Sequence, residues 1–367
     1  MNSIAVFYAS EGTGHRTAAQ NLAERFKLDN PDGKVVCADI LDCVPRLLHF
    51  GFSNYYLWTV RFCPRLWGKS YYGSDHPGIT KFCCDFAHKI LCKMYLKKAE
   101  TMAHEIGAQA VFFTHYFGAE HYAARNPGTP VFFVNTDFET HIFQRAGHPA
   151  AFFVPSETAV RQYAADGIKN VYNTGIPIAD KFSRPISKTA ARELLGIEQN
   201  RRVILVSGGG IGASNIQAVA ASLSARKDWQ TIIICGNNKA LKQKLEKKYS
   251  GAKNMRFEGF VENIEQFYRA VDLGIIKPGG LTLAETLASE LPLLLMDAVP
   301  GQEECNMRCV CEADAAVKLD NARCTLEKAA YILDNPQLTD RLRKNAQKLS
   351  KPFAAGDILK IAETFVK

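Results

Sequence analysis

The run Ile276-Lys277-Pro278-Gly279-Gly280-Leu281-Thr282-Leu283-Ala284-Glu285 organises the reading of this 367-residue chain, with Pro300-Gly301-Gln302-Glu303-Glu304-Cys305-Asn306 one strand further on. The first run ends a strand in Pro-Gly-Gly and is expected to open a helix at Thr282. The second ends the next strand in Pro-Gly-Gln-Glu-Glu. Two polar loops then lie side by side, an arrangement suited to a polyhydroxylated, phosphorylated ligand.

Around these runs, short apolar strands are expected at 203–206, 231–235, 254–257, 273–276 and 293–296, alternating with helical spacing. The first half of the chain repeats the pattern. Residues 4–8 read as a strand that stops at Ser10-Glu11-Gly12-Thr13-Gly14-His15, after which 16–27 has helical spacing at Ala18, Ala19, Leu22, Ala23 and Phe26. Further strands are expected at 34–40, 110–113, 131–134, 152–154 and 171–173. Such alternation implies parallel sheets with helices on both faces, and the length exceeds what one core ordinarily serves. The proline-punctuated stretch 176–185 divides the chain into a first domain at 1–180 and a second at 187–349. Residues 326–349 read as two charged helices, and 350–367 as a terminal helical segment expected to return to the first domain. The fold class is α/β, two doubly wound Rossmann-like domains, with a cleft expected where the carboxyl ends of the sheets face each other.

Hydrophobic residues at 47% and charged residues at 22% describe a soluble globular chain. The amino terminus lacks a basic n-region, and no segment reaches the about eighteen apolar residues of a spanning helix, so a cytoplasmic protein is expected. Eleven cysteines form no Cys-x-x-Cys pair and read as reduced thiols. Cys305, Cys309 and Cys311 lack a fourth ligand at metal spacing and read as small buried side chains. Neither a metal nor an organic cofactor is expected, and nucleic acid is not an expected partner.

Net charge is +8, and residues 43–98 carry nine Lys or Arg against Asp75 and Asp85. Within them, 43–72 breaks the strand-helix alternation and is rich in leucine, aromatic residues and arginine. It reads either as an irregular insertion covering the sheet or as a surface that meets lipid. Arg46, Trp58, Arg61, Arg65 and Trp67 carry the second reading, since aromatic and cationic side chains together suit a headgroup interface. Each basic residue near an anionic leaflet contributes about 1 kcal/mol.

Gly12-Thr13-Gly14-His15 stands where free backbone N–H groups favour anions, without the Lys-Ser/Thr of a P-loop. His15 is a candidate general base there, the alternative being a solvated helix-start histidine. In Ser207-Gly208-Gly209-Gly210-Ile211-Gly212-Ala213, Gly208, Gly210 and Ala213 fit G-x-G-x-x-A, but the next strand ends Cys235-Gly236-Asn237-Asn238 without the acidic ribose ligand. A nicotinamide cofactor is disfavoured, and a backbone phosphate cradle survives. Thr282 and Glu285 fit a capping box; the preceding glycines equally leave Glu285 placed for ribose hydroxyls. Gln302 and Glu303 match the hydrogen-bonding needs of a vicinal diol, against the alternative of an exposed acidic loop.

Gly12 to Arg16, Thr136-Asp137-Phe138 followed by His141, Gly175-Ile176-Pro177-Ile178, Gly259-Phe260-Val261, Lys277 to Glu285 and Pro300 to Asn306 together resemble the diacylglycerol glycosyltransferases. That family comprises monogalactosyldiacylglycerol synthase and the bacterial processive diacylglycerol glucosyltransferase, relatives of the peptidoglycan N-acetylglucosaminyltransferase. The resemblance implies a GT-B fold and an inverting transfer of glucose or galactose from a UDP-hexose to diacylglycerol. By position it implies Phe260 and Val261 at the uracil and Glu285 at the ribose. Ser207, Gly208, Gly209, Gly210 and Thr282 would lie near the diphosphate, and Gln302 with Glu303 at the sugar. Gly14, Gly279, Gly280 and Leu281 complete the donor contacts. His15 would face the reacting centre, with Asp137 the alternative base, and 43–72 would meet the acceptor and an anionic membrane surface at the inner face of the cell membrane. Thr13 replaces the usual middle glycine of the first loop, and His115-Tyr116 the usual His-Pro. Another lipid or glycoside acceptor, or a UDP-sugar isomerase of the same fold, is the alternative.

Overall fold

The computed structural model describes residues 1–10, 12–43, 59, 62–75, 96–184, 186–209, 215–296 and 298–366. The chain forms two compact units. One comprises Met1–Asp180, Val299–Cys305 and Lys351–Lys367, the other Lys181–Ala298 and Asn306–Ser350.

The first unit is built on six strands, β1 Ser3–Tyr8, β2 Lys34–Asp39, β3 Ala110–Phe113, β4 Val131–Val134, β5 Ala151–Val154 and β6 Val171–Asn173, in the order β2-β1-β3-β4-β5-β6. All pair in parallel. The central strands read Ala-Val-Phe-Phe, Val-Phe-Phe-Val and Ala-Phe-Phe-Val and are buried throughout, as a sheet covered on both faces requires. Their alternate residues serve two cores. Val6, Phe112, Phe132 and Phe153 face the helix Thr13–Asp29 through Leu22 and Phe26, and the terminal helix Ala354–Glu363 through Ile358 and Leu359. Phe7, Phe113, Phe133 and Phe152 face Tyr122 and Tyr163.

The second unit has β7 Arg202–Ser207, β8 Trp229–Ile234, β9 Met255–Glu258, β10 Leu273–Ile276, β11 Leu293–Leu295 and β12 Ala316–Lys318, in the order β12-β11-β10-β7-β8-β9. All are parallel. Eleven of the twelve strands lie within a residue or two of where apolar runs predict them. The twelfth, Ala-Val-Lys, is too short to show a period, and its pairing with β11 defines it.

Strand order locates the functional edge. In an open parallel sheet, ligands bind outside the carboxyl ends of strands where the winding direction reverses. That point falls between β1 and β3 in the first unit and between β7 and β10 in the second. The chain leaves those four strands at Ala9, Thr114, Gly208 and Lys277. Among the described residues no helix is long and apolar enough to cross a membrane.

Candidate active site

At the first reversal point the helix Thr13–Asp29 starts directly after Gly12, without a side-chain cap. His15 therefore stands in the first helical turn, one residue before the stretch 16–27 whose helical spacing is visible in sequence. Its Nδ1 lies 2.8 Å from the Thr114 carbonyl oxygen and 2.8 Å from Thr136 Oγ1. A carbonyl oxygen only accepts, so Nδ1 carries the hydrogen and the lone pair of the neutral ring resides on Nε2. Thr114 also donates its hydroxyl to the His15 carbonyl at 2.9 Å. The ends of β3 and β4 thus clamp the histidine from two sides.

The His115 ring meets the His15 ring edge-on, with centroids 4.8 Å apart, and His115 Nδ1 accepts from the Phe117 N–H at 3.2 Å. Asp137 is buried, and its carboxylate accepts from Gln144 Nε2 at 2.9 Å. Thr114 belongs to no motif, and Thr136, though part of the Thr136-Asp137-Phe138 run, has no role assigned to it by sequence. Each simply follows a strand, and only the strand order makes them neighbours of residue 15.

At the second reversal point Ile276 pairs with Ser207, and the Lys277 N–H reaches the Ser207 carbonyl at 3.4 Å. The two glycine segments, Gly208-Gly209 and Gly279-Gly280, therefore leave adjacent strands. Gly209 has φ +76°, a conformation that favours glycine. The helix after β10 is Gly280–Ala288 with Gly279 as its N-cap and no side-chain cap bond. It opens two residues before the expected Thr282, and the capping box does not form. Thr282 is the third helical residue, and Glu285 sits in the second turn, out of reach of the cap. Leu283 is the first to bond within the helix, to the Gly279 carbonyl at 2.9 Å, so the amides of Gly280, Leu281 and Thr282 precede the ladder and face the reversal point.

Glu285 is half-buried. Burial is the main cause that pushes its carboxyl up to about 8, with nearby Lys181 opposing and Glu265 adding. Glu265 belongs to the helix Ile264–Ala270, which follows the Phe260-Val261 segment. Phe260 itself is 66% exposed, an aromatic face without a packing partner large enough to cover it. The third donor segment also differs from the expected loop: Gln302 and Glu303 open the helix Gln302–Glu312. Glu303 Oε2 accepts from the Val299 N–H at 2.8 Å. Among the described residues the Gln302 side chain makes no hydrogen bond.

Of the lipid-facing candidates, Arg65 and Trp67 lie on the helix Pro64–Ser74, a regular element within what reads as an irregular insertion. Arg65 is exposed and Trp67 half-buried. Arg46, Trp58 and Arg61, and Gly210 of the donor set, lie outside the described residues. Among the described residues no group of three or more His, Cys, Asp or Glu is placed to hold a metal ion.

Residues 15–178 match the monogalactosyldiacylglycerol synthase family, and 188–349 match the glycosyl transferases group 1. A processive diacylglycerol beta-glucosyltransferase of Bacillus pumilus is 25% identical over 362 residues, covering 97% of this chain and 93% of its own. Its Bacillus subtilis namesake is 27% identical, covering 81% of this chain and 80% of its own. The crystal structure of Acinetobacter baumannii MurG superposes with a TM-score of 0.64 at 17% identity, over 99% of this chain and all (100%) of that one. A UDP-GlcNAc 2-epimerase of Neisseria meningitidis bound to UDP-GlcNAc superposes with a TM-score of 0.62 at 12% identity, over 99% of this chain and 100% of its own. Both kinds of enzyme share the fold, so the fold alone does not separate transfer from isomerisation. The domain pairing does: two doubly wound units of these two types make a glycosyltransferase of GT-B architecture. The chain therefore carries a match to the monogalactosyldiacylglycerol synthase family followed by one to the group 1 glycosyl transferases, and over nearly its full length it is similar to the processive diacylglycerol beta-glucosyltransferases.

Glu285 yields a prediction in the unliganded protein. Its folded-state carboxyl ionises near 8 against an ordinary 4.5, so the stability it contributes is present at low pH and is lost as pH rises through that window. Glu285→Gln should therefore gain melting temperature relative to the parent progressively from about pH 5 to about pH 9. A pH-independent offset in thermal melts would refute the raised value.

Proposed function

We propose that this protein transfers a hexose from a UDP-hexose to the hydroxyl of diacylglycerol in one inverting displacement. The acceptor oxygen bonds to the anomeric carbon as the bond from that carbon to the UDP oxygen breaks. The acceptor's proton passes to His15 Nε2, and the leaving electron pair stays on the diphosphate. The observation that carries this assignment is the 2.8 Å contact of His15 Nδ1 with the Thr114 carbonyl, which leaves Nε2 as the basic atom. Asp137 is the weaker candidate base, because its carboxylate is engaged by Gln144.

For the donor, the open amides of Gly280, Leu281 and Thr282 and the backbone of Ser207, Gly208 and Gly209 receive the diphosphate. Glu285 takes the ribose hydroxyls and Phe260 with Val261 the uracil. Gln302, whose amide makes no hydrogen bond among the described residues, reads the sugar beside Glu303. Backbone amides and a helix start supply the positive potential that the leaving diphosphate needs, and transfer should persist in excess EDTA. Loss of activity restored by a divalent cation would overturn that part of the mechanism.

The acceptor is held in lipid, and we place the contact on the outer face of the helix Pro64–Ser74. Arg65, Leu66 and Lys69 are exposed there at helical spacing, with Phe62 just before, a mixture suited to an anionic headgroup layer. Flotation with anionic vesicles should carry the protein, and Arg65→Glu with Lys69→Glu should weaken it; equal flotation of parent and variant would remove this helix from the interface. His15→Ala should keep UDP affinity within about twofold while transfer falls at least a hundredfold. Equal loss of binding and transfer would sink the base assignment. Resolving the lipid products from diacylglycerol and a panel of UDP-sugars tests the reaction itself.

A further inference from the structure

The inner face of the helix Pro64–Ser74 is fitted to the turn that precedes Gln302. At Gly68 there is no room for a side chain, since a Cβ would stand 2.6 Å from the Pro300 Cβ. One turn on, Tyr71 lies against Gly301, whose φ is +95° and whose Cβ, if present, would come within 2.7 Å of the tyrosine ring. Tyr72 then donates its hydroxyl to Glu304 Oε2 at 2.9 Å, and the same oxygen accepts from the Gly301 N–H at 3.4 Å. Burial, then the bond to Glu304, raises the Tyr72 hydroxyl above the ordinary phenol value and keeps it a donor.

The helix is itself anchored. The Tyr71 and His141 rings lie 4.6 Å apart, and His141 Nε2 is 3.1 Å from the Tyr71 carbonyl and 3.3 Å from Ser74 Oγ. His141 caps the short helix Ile142–Arg145, whose Gln144 holds Asp137 at 2.9 Å. The turn 300–304 is thus held from outside by two missing side chains and one hydroxyl. Two of its own carboxylates are committed to backbone amides, Glu303 to Val299 and Glu304 to Gly301. Gln302, between the turn and the helix, is the group left over.

We propose that Tyr72, acting through Glu304 with Gly68 and Tyr71 packed beneath the turn, is a positioning residue that sets where Gln302 presents its amide to the hexose. This rests on the reading of Gln302 as a sugar-contacting residue. The tyrosine touches no substrate. It fixes the start of the helix Gln302–Glu312, so its loss should be felt by the sugar and not by the nucleotide.

Tyr72→Phe removes only the hydroxyl from a partly exposed side chain, and thermal melts would verify that it folds. Steady-state kinetics should show the KM for UDP-hexose raised about tenfold, as loss of a hydrogen bond to a charged group permits. The equilibrium affinity for UDP and the KM for diacylglycerol should stay within about twofold of the parent. In a double-mutant cycle, adding Tyr72→Phe to Glu304→Gln should cause no further loss, because the two groups act as one contact. An unchanged UDP-hexose KM, a matching drop in UDP affinity, or an effect confined to the diacylglycerol KM would each overturn the assignment. Gln302→Ala separates the two levels of inference. If it raises the UDP-hexose KM and Tyr72→Phe does not, only the positioning role fails; if Gln302→Ala itself changes nothing, the sugar-contact reading fails first.

Discussion

Parallel strands all deliver their carboxyl ends to one edge of a sheet, and the winding direction must reverse somewhere along it. In both units that reversal separates two strands whose following segments cannot be covered by a common helix. Chemistry collects there because backbone amides and helix starts are exposed together. Between β1 and β3 the gap admits His15, held by the carbonyl of Thr114. Between β7 and β10 it admits two glycine segments joined through Ser207 and Lys277. The two units thus differ in what stands at the same place, a clamped histidine in one sheet and paired glycine segments in the other.

The donor segment shows how burial and function oppose each other. A carboxyl held in partial burial beside Glu265 is unfavourable to ionise, and Lys181 offsets only part of the cost. A capping role would have explained Glu285 without a ligand, but Gly279 caps the helix with no side chain. The carboxyl is therefore placed at a cost to the empty protein, a pattern typical of sites that interact with something absent from the fold.

The helix Pro64–Ser74 has one part packed into the first unit and another exposed. Gly68 and Ser74 are buried against the first unit, while Arg65, Leu66 and Lys69 stay exposed. One short element thus carries an exposed mixture of charge and hydrocarbon together with a close fit of Gly68 to Pro300 and of Tyr71 to Gly301. The left-handed backbone at Gly301 matters because it turns the chain into the helix Gln302–Glu312 with the Tyr71 ring packed where a Cβ would be.

Strand positions, the two-sheet α/β fold and the glycine-rich segments at the strand ends are legible in the sequence, because buried parallel strands are uniformly apolar and loops at their ends are marked by glycine and proline. What it does not show is which strand ends become neighbours. Thr114 and Thr136 have no evident link to His15 until β3 is placed beside β1 and β4 beside β3, and Tyr72 and Glu304 are 232 residues apart until a helix is laid against a turn. The helix after β10 starts at Gly280 where the sequence suggests Thr282, and Gln302 opens a helix where the sequence suggests a loop, since a glycine without a side-chain cap can start a helix that cap propensities do not announce. Local sequence determined the elements and the chemistry available at each strand end. Tertiary structure alone decided which ring nitrogen of His15 is engaged and that Tyr72 meets Glu304, because both depend on hydrogen bonds between groups far apart in the chain.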